Sequence, residues 1–180
     1  MPLRPWKTLS TREVYRNPWM ALREDIAQMP NGKTTIYGVV ECSEAVGVLP
    51  FIDQNQVIMV RQYRYVFGEN HRWEMPTGAV KPCESLEEAA RRELKEEIGY
   101  DAAEMEQIST FYTSKSIMRE IAPLFIGRGL VLAQAVPDDT EFLEIATFPF
   151  DQVLQMVLDT EIRDNMTVTA VLLAARQRGQ

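Results

Sequence analysis

The sequence predicts a mixed α/β (α+β) fold, and the order of its segments is what predicts it. β-rich stretches come first, one strong helix interrupts them, and helical stretches close the chain. That order differs from the regular strand–helix alternation of a doubly wound parallel sheet. Taken in sequence, residues 10–29 mix polar and apolar positions and predict one or two strands, ending at the turn signal Pro30-Asn31-Gly32. Thr34 to Val40 is rich in β-branched residues, so a hairpin across that turn is expected. Ala45–Ile52 and Gln56–Tyr63 are the next strands, with Asp53-Gln54-Asn55 as a hairpin loop between them. Trp73 to Gly78 predicts a short strand running into a glycine loop. Ser85 to Ile98 is the clearest helix: Ser85 caps it, Glu87 and Glu88 sit in its first turn, and Gly99 stops it. Strands are expected at Gln107–Thr113, Ile121–Gly127 and Glu141–Phe148. Two helices between Phe150 and Arg178, broken near Thr160–Asn165, complete the chain.

The 180 residues suit one domain with a small N-terminal appendage. A net charge of −7 argues against a nucleic acid polymer as partner, since such partners call for a basic surface. It leaves room for a small anionic ligand, because a bound divalent cation reverses the local sign. Cys42 and Cys83 are too few for a disulfide framework and match no zinc spacing. No apolar run has membrane-span length, and Met-Pro-Leu-Arg-Pro-Trp lacks the apolar core of a signal peptide, so no membrane and a reducing cytoplasm are expected.

The central helix carries acids on the wrong side for solubility. With Glu93 at zero on a wheel of ~100° per residue, Leu86, Ala90 and Leu94 fall between about 20° and 100°. Glu97 lands inside that apolar stripe near 40°, and Glu96 sits at its margin near about −60°. Glu88, Arg91 and Lys95 cluster on the opposite face. Carboxylates one turn apart and facing the protein body are costly unless a cation neutralises them. Hard oxygen ligands on one rigid helix suit Mg²⁺ or Mn²⁺. The plain alternative is a charge run on an exposed helix, paired with Arg92 and Lys95.

The surrounding motif separates the two. Gly78, five residues, Glu84, seven residues, then Arg92-Glu93-Leu94-Lys95-Glu96-Glu97-Ile98-Gly99-Tyr100 closely resembles the Nudix box. Only Tyr100 departs, being aromatic at a position that is usually aliphatic. The resemblance implies a Nudix-type α/β/α sandwich with a mixed sheet over 41–180, preceded by an N-terminal β-strand extension over 1–40. It implies Glu93 and Glu97 as principal metal ligands with Glu96 assisting. Glu84 and the Ala79 carbonyl add to the cluster, Arg92 orients the carboxylates, and Gly78 lets the loop backbone approach the metals. The reaction it implies is Mg²⁺- or Mn²⁺-dependent cleavage of a pyrophosphate in a small nucleoside-diphosphate-linked substrate.

Val60-Arg61-Gln62-Tyr63-Arg64, Trp73-Glu74-Met75-Pro76 and Asp159 to Asp164 with Thr167 are similar to segments of the ADP-ribose and nucleoside-diphosphate-sugar pyrophosphatases. In that subgroup an N-terminal strand region is exchanged between the subunits of a homodimer. One departure concerns the substrate: ADP-ribose pyrophosphatases usually carry a proline where Lys115 or Ser116 stands here. Arg61 and Arg64 are candidate phosphate contacts. Three positions apart, they face opposite ways on a regular strand, and reach one substrate only if the strand ends or bulges between them. Glu74 is a candidate for a ribose hydroxyl or an arginine. Glu141, with Glu144 as the other candidate, aligns with the subgroup's general base; a solvated acidic loop is the alternative. Two further functions stay open, a Nudix nucleoside-triphosphate pyrophosphohydrolase and a non-enzymatic Nudix-like nucleotide-sensing domain. The first usually has a shorter chain, and the second typically loses box carboxylates that Glu93, Glu96 and Glu97 retain.

Overall fold

Asn17 and Gly32 turn the first three strands back on one another. In a computed structural model that describes residues 4–70, 72–134 and 142–179, Lys7–Arg16 (β1), Met20–Gln28 (β2) and Thr34–Cys42 (β3) form an antiparallel meander. The Asn17 carboxamide accepts from the amides of Trp19 (2.9 Å) and Met20 (2.8 Å), which makes the first turn. Gly32 takes φ 83° in the second, where a side chain would be strained. Residues 10–29 are therefore parts of two strands, the first starting earlier than its composition suggests. Further on come Ala45–Pro50 (β4), Gln56–Arg61 (β5), Tyr63–Arg64 (β6), Glu69–Asn70 (β7), Thr77–Ala79 (β8) and helix Leu86–Ile98 (α1). Tyr100–Tyr112 (β9), Met118–Arg119 (β10), Ile121–Leu132 (β11), Glu144–Pro149 (β12), Phe150–Leu158 (α2) and Asn165–Gln177 (α3) complete the order.

The chain divides into two compact units. Met1–Glu44 with Tyr112–Ile121 make the first, a sheet ordered β1-β2-β3-β10 in which the short β10 joins β3 in parallel. Ala45–Phe111 with Ala122–Gln180 make the second, with a sheet ordered β8-β4-β11-β9 and a separate β12-β5 pair.

Side-chain alternation makes the second unit three-layered. Val46 and Val48 of β4 and Ile58 and Val60 of β5 pack with Ala89, Ala90, Leu94 and Ile98 of α1. On the opposite face Leu49, Val57, Met59, Leu124 and Ile126 pack with Val153, Ala170, Val171 and Ala174 of α2 and α3. Strands buried on both faces read as continuous apolar runs. β4 pairs in parallel with β11 and antiparallel with β8, so the sheet is mixed.

Several expected elements differ, among them Ile121–Gly127, which runs on to Leu132. The Asp53–Asn55 turn forms, with Ile52 N donating to Gln56 O at 3.0 Å, but past the Phe51–Val57 bridge β5 leaves β4 and pairs with β12. Trp73–Pro76 is not a strand; Glu74 makes a single bridge to Val60, and the strand proper is Thr77–Ala79. β9 begins at Tyr100, directly after the helix cap, because it is paired along a sheet whose partner the local composition does not reveal.

Candidate functional site

Helix α1 is built to present its inner face accurately. Ser85 Oγ accepts from the Glu88 amide (3.3 Å), the Glu88 carboxylate accepts from the Ser85 amide (2.8 Å), and Gly99 closes the C-terminus at φ 73°. Its buried residues are Ala89, Ala90, Glu93, Leu94, Glu97 and Ile98, so Glu93 (5% exposed) and Glu97 (3%) do face the body of the unit. The opposite face is less open than the wheel suggests. Asp101 of β9 takes Arg91 at 2.8 Å and Lys95 at 2.8 Å.

Arg92 gathers the acids. Its Nε and Nη2 donate to the two oxygens of Glu84 (2.8 and 3.0 Å), and its Nη1 donates to Glu93 (2.6 Å) and Glu96 (2.7 Å). Nη2 also donates to the Ala79 carbonyl at 2.8 Å. Lys81 Nζ reaches Glu96 at 3.3 Å, and the Lys81 amide donates to Glu84 at 3.0 Å. Glu97 lies on the same helix face and accepts from the Thr77 amide at 3.4 Å. The hydrogen bonds from Arg92 hold the Glu84 carboxyl below its ordinary value, and the Glu84 contact chiefly raises Arg92 in turn.

A Cβ on Gly78 would fall inside the Glu93 carboxylate, which would have to shift to make room. The loop backbone thus lies directly against the acid, which is the close approach that only glycine permits. All the donors here are hard oxygens, which fits Mg²⁺ or Mn²⁺ and no soft metal. Among the described residues, no three such side chains stand ready in ligating geometry. Glu84, Glu93 and Glu96 are drawn to one guanidinium, and a cation would take oxygens that Arg92 now shares.

The strand ends between the two arginines. β5 stops at Arg61, Gln62 interrupts, and β6 starts at Tyr63, which is the break that the pair requires to escape strand alternation. Arg61 pairs with Glu144 (Nε 3.0 Å) and lies 4.8 Å over the Trp73 ring, which itself meets Phe148 edge-on at 5.0 Å. Arg61, Gln62, Tyr63, Phe142, Leu143 and Glu144 line an open pocket of about 420 Å³. Arg64 bonds to Glu74, and the Gln62 carboxamide oxygen accepts from Arg64 Nη2 at 3.1 Å. Glu141 lies outside the described residues, and Glu144 is committed to Arg61. Sequence reasoning gave no role to Trp73, Lys81 or Thr167. The signal for Lys81 was a cation in the glycine loop three residues before Glu84; the signal for Thr167 was its place three residues after the capping Asp164.

Glu74 is 2% exposed, and burial pushes its carboxyl from an ordinary 4.5 up to about 7; Arg64 opposes that rise and Asp164 adds to it. A folded-state value above the unfolded one means the native protein binds the extra proton between pH 4.5 and about 7, so stability falls as pH rises through that window. Glu74→Gln should therefore flatten the pH dependence of Tm across it, relative to wild type. Parallel Tm–pH curves for the two proteins would contradict this.

The description NUDIX domain matches residues 43–169, and a second, Nucleoside diphosphate sugar hydrolase N-terminal domain, matches residues 6–40. A Bacillus methanolicus protein named methanol dehydrogenase activator is 33% identical over 92% of this chain and 90% of its own. An ADP-ribose pyrophosphatase of Bacillus subtilis is 31% identical over 92% of this chain and 90% of its own. In fold, a crystal structure of an ADP compounds hydrolase matches with a TM-score of 0.88 at 22% identity, covering 100% of this chain and 98% of that one.

Proposed function

The chain belongs to the Nudix family as a pyrophosphatase acting on nucleoside-diphosphate sugars, and from that premise we propose which of its groups carry the hydrolysis. The products are a nucleoside monophosphate and a sugar phosphate. The observation that carries the assignment is the buried pair Glu93 and Glu97, one turn apart on α1 beside the Gly78 loop.

Nudix hydrolases need a divalent metal. Glu93 and Glu97 hold it, Glu96 and Glu84 assist, and the Ala79 carbonyl adds a neutral oxygen. Mg²⁺ or Mn²⁺ so held supplies neutralisation of the diphosphate oxygens and activation of water. Arg92 keeps three of the carboxylates aimed at one place. Arg61 and Arg64 receive the phosphates, for which a planar, permanently charged guanidinium is suited. Glu74 fixes Arg64 and receives a ribose hydroxyl. The Trp73 ring lies beneath the Arg61 guanidinium. Glu141 removes the proton of the attacking water.

The protein acts as a homodimer in the cytoplasm, with residues 1–40 exchanged between subunits. Support for the exchange comes from the sheet itself: β1 is exposed along its whole length, and Leu9, Val14, Tyr15 and Ile36 lie open on these strands. Cys42 and Cys83 are free thiols, as a reducing compartment would keep them. Among the described residues, no helix is long and apolar enough to cross a membrane.

The test is a panel of ADP-ribose, ADP-glucose, GDP-mannose, NADH, diadenosine polyphosphates and nucleoside triphosphates, with Mg²⁺, Mn²⁺ or EDTA. Metal-dependent release of a monophosphate from one diphosphate sugar is the expected result. Preference for a triphosphate would replace this substrate class, and tight binding without turnover would turn the site into a sensor.

A further inference from the structure

Residues 74–78 join the two halves of the site, since Glu74 stands at one end and the glycine loop begins at the other. The backbone donors of Glu74, Met75 and Thr77 are taken by three different elements. The Glu74 amide donates to Val60 O of β5 (2.9 Å), the Met75 amide to Thr167 Oγ1 of α3 (3.0 Å), and the Thr77 amide to Glu97 of α1 (3.4 Å). Pro76 has no N–H to place. Met75 is thus where the C-terminal helix grips the segment.

Thr167 is fully buried, and its hydroxyl is oriented by a second bond. Its Oγ1 donates to Asp164 Oδ2 at 2.7 Å, and the same carboxylate oxygen accepts the Thr167 amide at 2.7 Å as the N-cap of α3. With the hydroxyl proton committed to Asp164, the oxygen faces Met75 as an acceptor only. The cap itself does not need that hydroxyl, because the amide alone satisfies it. The hydroxyl serves the segment rather than the helix. Asp164 also acts electrostatically on Glu74, raising its carboxyl further.

We propose that Thr167, oriented by Asp164, is a positioning residue for the hydrolysis: it fixes the Met75 amide and thereby the placement of Glu74 and the approach to Gly78. The inference rests on the assignment of Glu74 and the glycine loop to the substrate site.

Thr167→Val keeps the shape and removes the hydroxyl, leaving a buried amide without its acceptor. Amide exchange of the peptide spanning 73–79 should then accelerate about tenfold, the size of one lost buried hydrogen bond. KM for ADP-ribose, or for whichever sugar nucleotide of the panel the wild type cleaves, should rise about tenfold while kcat changes little, because the acids of α1 stay in place. Thr167→Ser restores the hydroxyl and should return both readouts to wild type. Asp164→Asn keeps an acceptor for the cap, weakens the anchor of the hydroxyl and removes the charge that bears on Glu74. It should move both readouts the same way by a smaller factor, and it decides the matter if Thr167→Val does not fold. Wild-type exchange in the variants, an unchanged KM, or a serine variant that behaves like valine would each overturn the proposal. A wild type that cleaves no member of the panel would instead remove the substrate-site assignment, whatever the exchange shows.

Discussion

Replacing Glu97 with glutamine should lower kcat by about 10³-fold, equivalent to losing about 4 kcal/mol of transition-state stabilisation by the metal. Glutamine keeps an oxygen for the Thr77 amide and nearly the same volume, so the thermal transition should stay within a few degrees of wild type. Charge is what the substitution removes. Glu97 is almost fully buried beside Glu93, and a solvated surface acid could not sit there. The measurement is steady-state kinetics on the preferred panel substrate at saturating Mg²⁺, with Mn²⁺ titrated by electron paramagnetic resonance. Weaker Mn²⁺ binding should accompany the loss of rate. A variant with full hydrolysis would remove Glu97 from the metal site.

The second large effect concerns stability. Arg92→Ala should destabilise the metal-free protein by about 3 kcal/mol, the scale of removing one partner from a mostly buried ionic cluster. Arg92 and its partners Glu84, Glu93 and Glu96 have side chains only 18%, 15%, 7% and 21% exposed, so solvent screening relieves little of that penalty. At this chain length the loss corresponds to a Tm lower by about 6–12 °C. Divalent cations should then do for the variant what the guanidinium did for the wild type. The Tm gain on adding Mn²⁺ or Mg²⁺ should exceed the wild-type gain, through preferential binding to the folded state. Calorimetry in EDTA and in excess metal reads both quantities. Equal metal-induced gains in the two proteins would mean that Arg92 and the cation do not share the same oxygens.

Both expectations rest on residues that local pattern already exposed. Ser85, Gly99 and the wheel positions of Leu86, Ala90 and Leu94 define α1 and its inner face, so the burial of Glu93 and Glu97 follows from short-range regularities alone. The same holds for the β2–β3 hairpin, where a turn residue with positive φ leads into a run of β-branched character. Gly78 was legible as a close approach. What it approaches, the Glu93 carboxylate, was not.

Long-range pairing marks where that legibility stops. A turn at Asp53–Asn55 is written locally, but whether β5 stays with β4 or crosses to β12 depends on strands some ninety residues apart, and an apolar run buried on both faces carries no sign of its partner. The same limit hid the full length of β9. It also hid the Trp73 ring beneath Arg61 and the reach of Thr167 to Met75, 92 positions away. The sequence by itself determined the helix, its acids, the glycine loop and the class of chemistry, because each is set by spacings within a turn or two of chain. Only the tertiary structure decided what those groups touch: the individual bonds of Arg92 to Glu84, Glu93 and Glu96, Glu74 raised to about 7 by burial, and α3 gripping the segment ahead of the loop. Desolvation and hydrogen-bond geometry belong to the packed molecule, and no local spacing encodes them.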